Sequence, residues 1–343
     1  MNNSGSTEDV RKLTTIRKIS DIVPIEGADK IEVAIVDGWK IVVGRNSFKT
    51  GDEAIYMELD SALPLDDPRF EFLRNRGVKT IDDKEYHVLR SAKLRGVISQ
   101  GILFDLKDFP EIANNASSNV TDFSKTLGII KYEPPIPANS GTIIGGWDSR
   151  IQKTDSERAQ NLVEFLKTVN PEDWEATVKV DGTSATIKKD QEGFKTFSRN
   201  YRVDNIDSRY EIAEKYGILE ELNDGEIVQF ELAGPGINGN KQKLKEVRPF
   251  VFSVFNKDGS PKPRAEWGSK LEEWAVPIVD TSHLDSFNIN NLMELADNCR
   301  GNLTKDIKDE GIVFHHKEGK QFQELGNRNT FKIVSDKYLL KNG

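Results

Sequence analysis

Lys179 stands two residues before Asp181 and three before Gly182 in the run TVKVDGTSATI, residues 177–187. The alternating apolar residues on either side predict two β-strands, and the Asp-Gly pair predicts a tight turn joining them. A lysine in a half-buried strand is costly unless its amine is used. An unprotonated amine can attack the α-phosphate of a nucleotide, provided that nearby cations or a metal lower its pKa and neutralise the phosphate as pyrophosphate leaves. Lys-x-Asp-Gly arises by chance in about one chain in eleven of this length. The chemistry therefore has to be argued from its neighbours.

Those neighbours follow in order, each supplying a group that nucleotidyl transfer needs. Arg199, in SRN, offers a planar fork for phosphate. Glu231, in FELAG, can accept hydrogen bonds from ribose hydroxyls, and Phe252 and Phe255, in VFSVFN, offer ring faces of which one could stack on a purine. Glu310, in DEGIVF, is a hard oxygen ligand suited to magnesium, and Lys332, in FKIVS, is a late cation. Singly, each has an ordinary explanation: Arg199 a surface residue, the phenylalanines core, Glu310 a solvated acid. Their order and chemical types outweigh those explanations.

Two further patterns are discounted. Gly234 to Gly239 fits G-x-G-x-x-G, but NKQKLKEVR after it carries no apolar helical stripe to face a pyrophosphate, and Asn240 precedes Lys241 where a P-loop needs glycine. His315 and His316 would point to opposite faces of one strand, a poor arrangement for a shared metal.

The elements that must position these residues divide the 343-residue chain in two. From about Leu13 to Leu106, short alternating runs punctuated by Asp37-Gly38, Gly51 and Gly96 predict a β-barrel of about five strands. Periodicity fades between Asp108 and Trp147, read as a linker. A helix is expected over Thr154 to Val169, and strands and helices then mix without a repeated βαβ order. The expected boundaries are 1–107 for the barrel, 108–147 for the linker and 148–343 for the second domain. The composition, 36% hydrophobic and 30% charged, has no apolar run long enough for a membrane helix. With no signal-like N-terminus and Cys299 as its one cysteine, a reducing cytoplasmic location is expected. The net charge of −8 argues against non-specific coating of nucleic acid but leaves a local basic groove open.

The first segment resembles the oligonucleotide/oligosaccharide-binding (OB) barrel, with IEGADKIEVAIVDGW and KLRGVISQGIL similar to its tRNA-binding variety. The second resembles the covalent nucleotidyltransferases, which include DNA ligases, RNA ligases and capping enzymes. KVDG is similar to motif I, SRN to Ia, VFSVFN to III, FELAGPGI to IIIa, EGIVF to IV and FKIV to V. FELAGPGINGN favours an RNA ligase, and the barrel standing in front, with KTDSERAQN ahead of motif I, resembles the Deinococcus- and Naegleria-type RNA ligases. The fold class implied is α+β, an OB-like β-barrel followed by an ATP-grasp-like nucleotidyltransferase domain.

The resemblance implies roles. Lys179 would form lysyl-AMP from ATP; Asp181 and Gly182 would shape the turn beside the nucleotide; Arg158, Arg199 and Lys332 would hold phosphate; Glu231 would contact ribose; Phe255 would stack on adenine; and Glu310 would serve magnesium or manganese. The implied partner is RNA or an RNA/DNA nicked duplex. The sequence departs from the family at Val334, where many ligases carry a second lysine, so that either Lys337 or another cation substitutes or the family does without it, and at Val178, where many carry glutamate. An ATP-dependent DNA ligase, disfavoured by domain order, and a non-catalytic RNA-binding protein are the alternatives.

Overall fold

The computed structural model describes residues 11–113, 121–133 and 141–342. The chain forms two compact units, one mainly of Arg11–Pro135 and the other mainly of Ile136–Tyr338.

The first unit is built on β1 (Thr14–Pro24), β2 (Ile31–Val36), β3 (Trp39–Gly44), β4 (Glu53–Met57) and β5 (Ile102–Asp105), hydrogen-bonded in the order β5-β4-β1-β2-β3. Asp37 takes the left-handed conformation (φ 50°) that a two-residue hairpin turn requires, so Val36 and Trp39 pair directly. The sheet curls until β3 meets the approach to β5: Gln100 N–H donates to Lys40 O at 2.8 Å and Val42 N–H to Ser99 Oγ at 2.9 Å. The alternation in EAIYM serves two cores, Ala54 and Tyr56 packing with Trp39 and Ile41, Ile55 and Met57 with Phe70 and Leu63.

The expected linker is corrected here. Phe109, Ile112, Phe123, Leu127 and Ile129 are buried in the same core as Ile55 and Met57, so much of 108–147 packs on the first unit instead of spanning open space. Its spaced apolar residues were masked by the polar stretch between them; residues 114–120 and 134–140 of that segment lie outside the described residues.

The second unit holds two sheets. A six-stranded sheet has the order β6-β11-β10-β9-β12-β13, with β6 Ile143–Gly146, β9 Thr183–Asp190, β10 Gly193–Phe197, β11 Tyr201–Val203, β12 Ile227–Ala233 and β13 Arg248–Phe255. A four-stranded sheet has the order β7-β15-β14-β8, with β7 Glu157–Arg158, β8 Trp174–Lys179, β14 Gly311–His316 and β15 Thr330–Val334. Only β7 and β15 run parallel among these pairs.

Two local expectations change. Val180 to Gly182 is no hairpin turn: β8 pairs with β14 whereas β9 pairs with β10 and β12, so the chain crosses there from one sheet to the other. Thr154 to Val169 is not one helix, because Glu157–Arg158 is captured as a strand by β15 and only Val163–Leu166 forms an α-helical turn. Leu162, Phe165 and Leu166 are still buried, against Trp174, Phe314 and Phe331. Helices form at Ser208–Lys215 and Ile289–Asn298. Among the described residues, no helix is long and apolar enough to cross a membrane.

Candidate active site

Lys179 ends β8 at the crossover, with its backbone paired to Gly311 of β14. A Cβ on Gly311 would lie 2.2 Å from Ile333 O, so only glycine lets β14 start this close to β15. Glu310, immediately before it, thereby reaches the lysine, and Lys179 Nζ donates to Glu310 Oε2 at 2.6 Å. On the other side, a Cβ on Gly182 would lie 2.1 Å from Leu232 O and 2.8 Å from Glu231 Cγ. Gly182 thus presses the crossing chain onto β12, where Glu231 pairs with Ser184. Its role is close packing, with no tight turn to shape.

Burial alone would lower the Lys179 pKa, but the charge and hydrogen bond of Glu310, backed by Glu231 and Asp181, raise it above the usual lysine range. Glu231 is pushed up to about 8 by burial, against the pull of Lys179, with Glu310 and Asp181 adding repulsion. The lysine is thus a protonated amine and Glu231 a neutral acid near pH 7. Asp181 goes the other way. Burial would raise it, but it accepts from Tyr338 Oη at 2.5 Å and from Asn238 Nδ2 at 2.8 Å and pairs with Lys241 Nζ at 2.9 Å, which together pull it below the ordinary carboxylate range.

Neither Asn238, Lys241 nor Tyr338 was legible as a site residue. The first two belong to the glycine-rich loop after β12 and bolt that loop to the crossing chain beyond Lys179. Val334, where a second lysine would stand, is buried and pairs with Gly311.

Lys332 and Arg158 are neighbours by the parallel register of β7 and β15. Lys332 donates to Asp155, and Arg199 Nη2 lies 3.5 Å from the same carboxylate. Burial lowers the Lys332 pKa to about 8; Asp155 opposes this, while Arg158 and Lys179 reinforce it.

The structure does not bring Phe255 to the lysine. It is buried with Ile151, Phe197 and Ile227 and pairs with Ile227, four residues along β12 from Glu231. A bulge between Ser253 and Val251 resets the alternation, and Phe250 becomes the residue opposite Glu231. Phe252, the bulged residue, lines a cavity of about 230 Å³ together with Ser253, Glu175, Thr177 and His315. His315 Nε2 lies 3.1 Å from Thr177 Oγ1, and burial, helped by the charge of Arg264, lowers its pKa to about 4. His316 packs its ring edge-on against Trp174 instead.

Residues 172–334 match the family model described as RNA ligase, and residues 13–106 match one described as an OB-fold domain. A point mutant of Naegleria gruberi RNA ligase with AMP and manganese is similar at 34% identity and a TM-score of 0.84, covering 96% of this chain and 99% of that one. The chain belongs to the RNA ligase family. Another mutant of the Naegleria gruberi ligase, with ATP and manganese, matches at 33% identity, TM-score 0.84 and coverage of 96% and 99%. The same ligase with pyrophosphate matches at 33% and 0.84, covering 97% of this chain and 99% of that one. No curated protein sequence matches. The ligase thus carries an OB-fold domain ahead of its RNA ligase domain, and Lys179 with its neighbouring carboxylates lies where the chain crosses between that domain's two sheets.

Proposed function

We propose that the ligase joins RNA 3′-hydroxyl and 5′-phosphate ends at nicks in duplex, using ATP, through lysyl-AMP and an adenylylated 5′ end. The observation that carries this reading is Lys179 at the crossover, 2.6 Å from Glu310 and flanked by Glu231. The ligand-bound relatives support it, since the Naegleria gruberi enzyme was captured with ATP, AMP, pyrophosphate and manganese.

In this reading Lys179 is the nucleophile. It sheds its proton once Glu310 is drawn away, because burial then acts on the amine against only the smaller pull of Glu231 and Asp181. Lys332, Arg158 and Arg199 take the phosphate charge. Glu231, held neutral, can both donate to and accept from ribose hydroxyls. Phe250 or Phe252 supplies the ring for the base, in place of Phe255. The donor set fits a largely hydrated magnesium or manganese ion: Glu310 is a hard oxygen ligand, and no group of three His, Cys, Asp or Glu among the described residues forms a closed cage. Such an ion supplies charge neutralisation at the phosphate under attack. The OB-fold unit, divided from the adenylation unit near residue 135, grips the strand being sealed. A reducing cytoplasm suits the single buried Cys299.

The test is incubation of the ligase and Lys179→Ala with α-labelled ATP and magnesium or manganese. Label that survives denaturation on wild type alone is expected; folded, unadenylylated wild type without label would overturn the reading. Nicked duplexes with RNA or DNA at the 3′-hydroxyl side then separate RNA from DNA sealing.

A further inference from the structure

Two cations assigned to phosphate are already engaged by an acid of the chain itself. Lys332 Nζ donates to Asp155 Oδ1, and Arg199 Nη2 lies 3.5 Å from Asp155 Oδ2. The placement is built into the strands: Glu157 and Arg158 pair with Phe331 and Lys332, and Ser156 Oγ lies 2.8 Å from Thr330 Oγ1. Asp155 is thereby fixed beside β15. Its side chain is 20% exposed and that of Lys332 13%, so the pair is largely withdrawn from water. A carboxylate shared between an ammonium and a guanidinium presents its oxygens much as a phosphate would.

We propose that Asp155 is a positioning residue that occupies the place of a nucleotide phosphate in the empty enzyme, keeping Lys332 and Arg199 gathered until a phosphate displaces it. The inference rests on the ligase reading above. The charged groups around Lys332 explain why a stand-in is needed. Arg158 from β7 and Lys179 from β8 act on Lys332, Arg199 after β10 reaches Asp155, and among the described residues Asp155 is the acid paired with Lys332, Glu310 being engaged by Lys179. Burial and the two neighbouring cations Arg158 and Lys179 push Lys332 toward neutrality, against Asp155. In the wild type, ATP exchanges one anion for another and the lysine keeps its proton. Without the carboxylate, Lys332 stands neutral over more of the pH range, and an arriving phosphate must bring the proton back.

The experiment is calorimetric binding of ATP, with chelator and no metal so that no transfer occurs, to full-length wild type, Asp155→Asn and Asp155→Ser. Titrations run from about pH 6 to about pH 9 in buffers of different ionisation enthalpy. Both variants are expected to bind more tightly than wild type at the acid end, where no internal anion competes. Their affinity should then fall about tenfold further than that of wild type across the range, with up to about one extra proton taken up per ATP. Profiles and proton counts parallel to wild type overturn the proposal, as does loss of the folded state in both variants, which would make Asp155 structural. Lysyl-AMP labelling of the wild type, run alongside, separates the failures: no label sinks the ligase reading, whereas label with parallel profiles sinks only the role of Asp155.

Discussion

Gly182→Ala isolates the packing that sets Lys179 in place. Gly182 does not have a positive φ, so alanine meets no backbone strain there, and the whole effect is steric. The added methyl would lie 2.1 Å from Leu232 O and 2.8 Å from Glu231 Cγ. Ordinary non-bonded separation is about 3.5 Å, so the crossing chain and β12 must part by roughly 1 Å or more. Overpacking of this kind costs about 1–3 kcal/mol. At about 2–4 °C per kcal/mol for a unit of this size, the melting temperature should fall by several degrees. The larger effect is on chemistry. Lys179 lies three residues upstream, and a displacement of about 1 Å at a reacting group can lower a rate by about a hundredfold. Single-turnover formation of lysyl-AMP measures this, with thermal unfolding alongside. Gly146→Ala is the control, since its methyl would meet nothing within 4 Å and Gly146 also has no positive φ. If Gly182→Ala melts and adenylylates like that control, the close approach of crossover and β12 does not position the lysine.

Tyr338→Phe removes the 2.5 Å donor to Asp181 and should cost about 1.5–3 kcal/mol of stability, read by denaturant unfolding, together with a slower adenylylation step. Glu231 ionises near 4.5 when unfolded but only near 8 when folded, so the native state binds the extra proton between those values. Stability from this group is complete below about pH 4.5 and declines as pH rises toward 8; Glu231→Gln should flatten that decline in denaturant midpoints measured at pH 5, 6.5 and 8. Phe255→Ala should destabilise the protein by about 3–5 kcal/mol, with the ATP KM of the folded fraction unchanged. Phe250→Ala and Phe252→Ala should between them raise that KM, and a rise for Phe255→Ala alone would restore Phe255 as the stacking ring.

Lys179, Glu310 and Lys332 could be singled out as candidates because each sits in a short string whose local pattern also sets its strand. The residues that hold them could not. Asp155 meets Lys332 across 177 positions and Tyr338 meets Asp181 across 157, distances at which neither periodicity nor spacing carries information. The barrel strands could be read from alternation and from Asp37-Gly38, since hairpins are local. Asp181-Gly182 sends the same local signal, but strand pairing overrode it: β8 and β9 found partners in different sheets. Phe255 came from the family resemblance, the residues themselves leaving Phe252 and Phe255 open, and the bulge in that strand sets Phe250 opposite Glu231 instead. The helix expected from Thr154 failed for a related reason, since its apolar spacing is genuine over Leu162 to Leu166 while the residues before it were claimed by the edge of β15.

The crossover also bears on endurance. Lys179 is anchored in the four-stranded sheet and Glu231 in the six-stranded one, with the chain between them as a covalent tie. A nucleotide bonded to that lysine and gripped at its ribose by Glu231 would rivet the two sheets together. The charged enzyme would then be its sturdiest form, slower to melt and to be cleaved than the empty one.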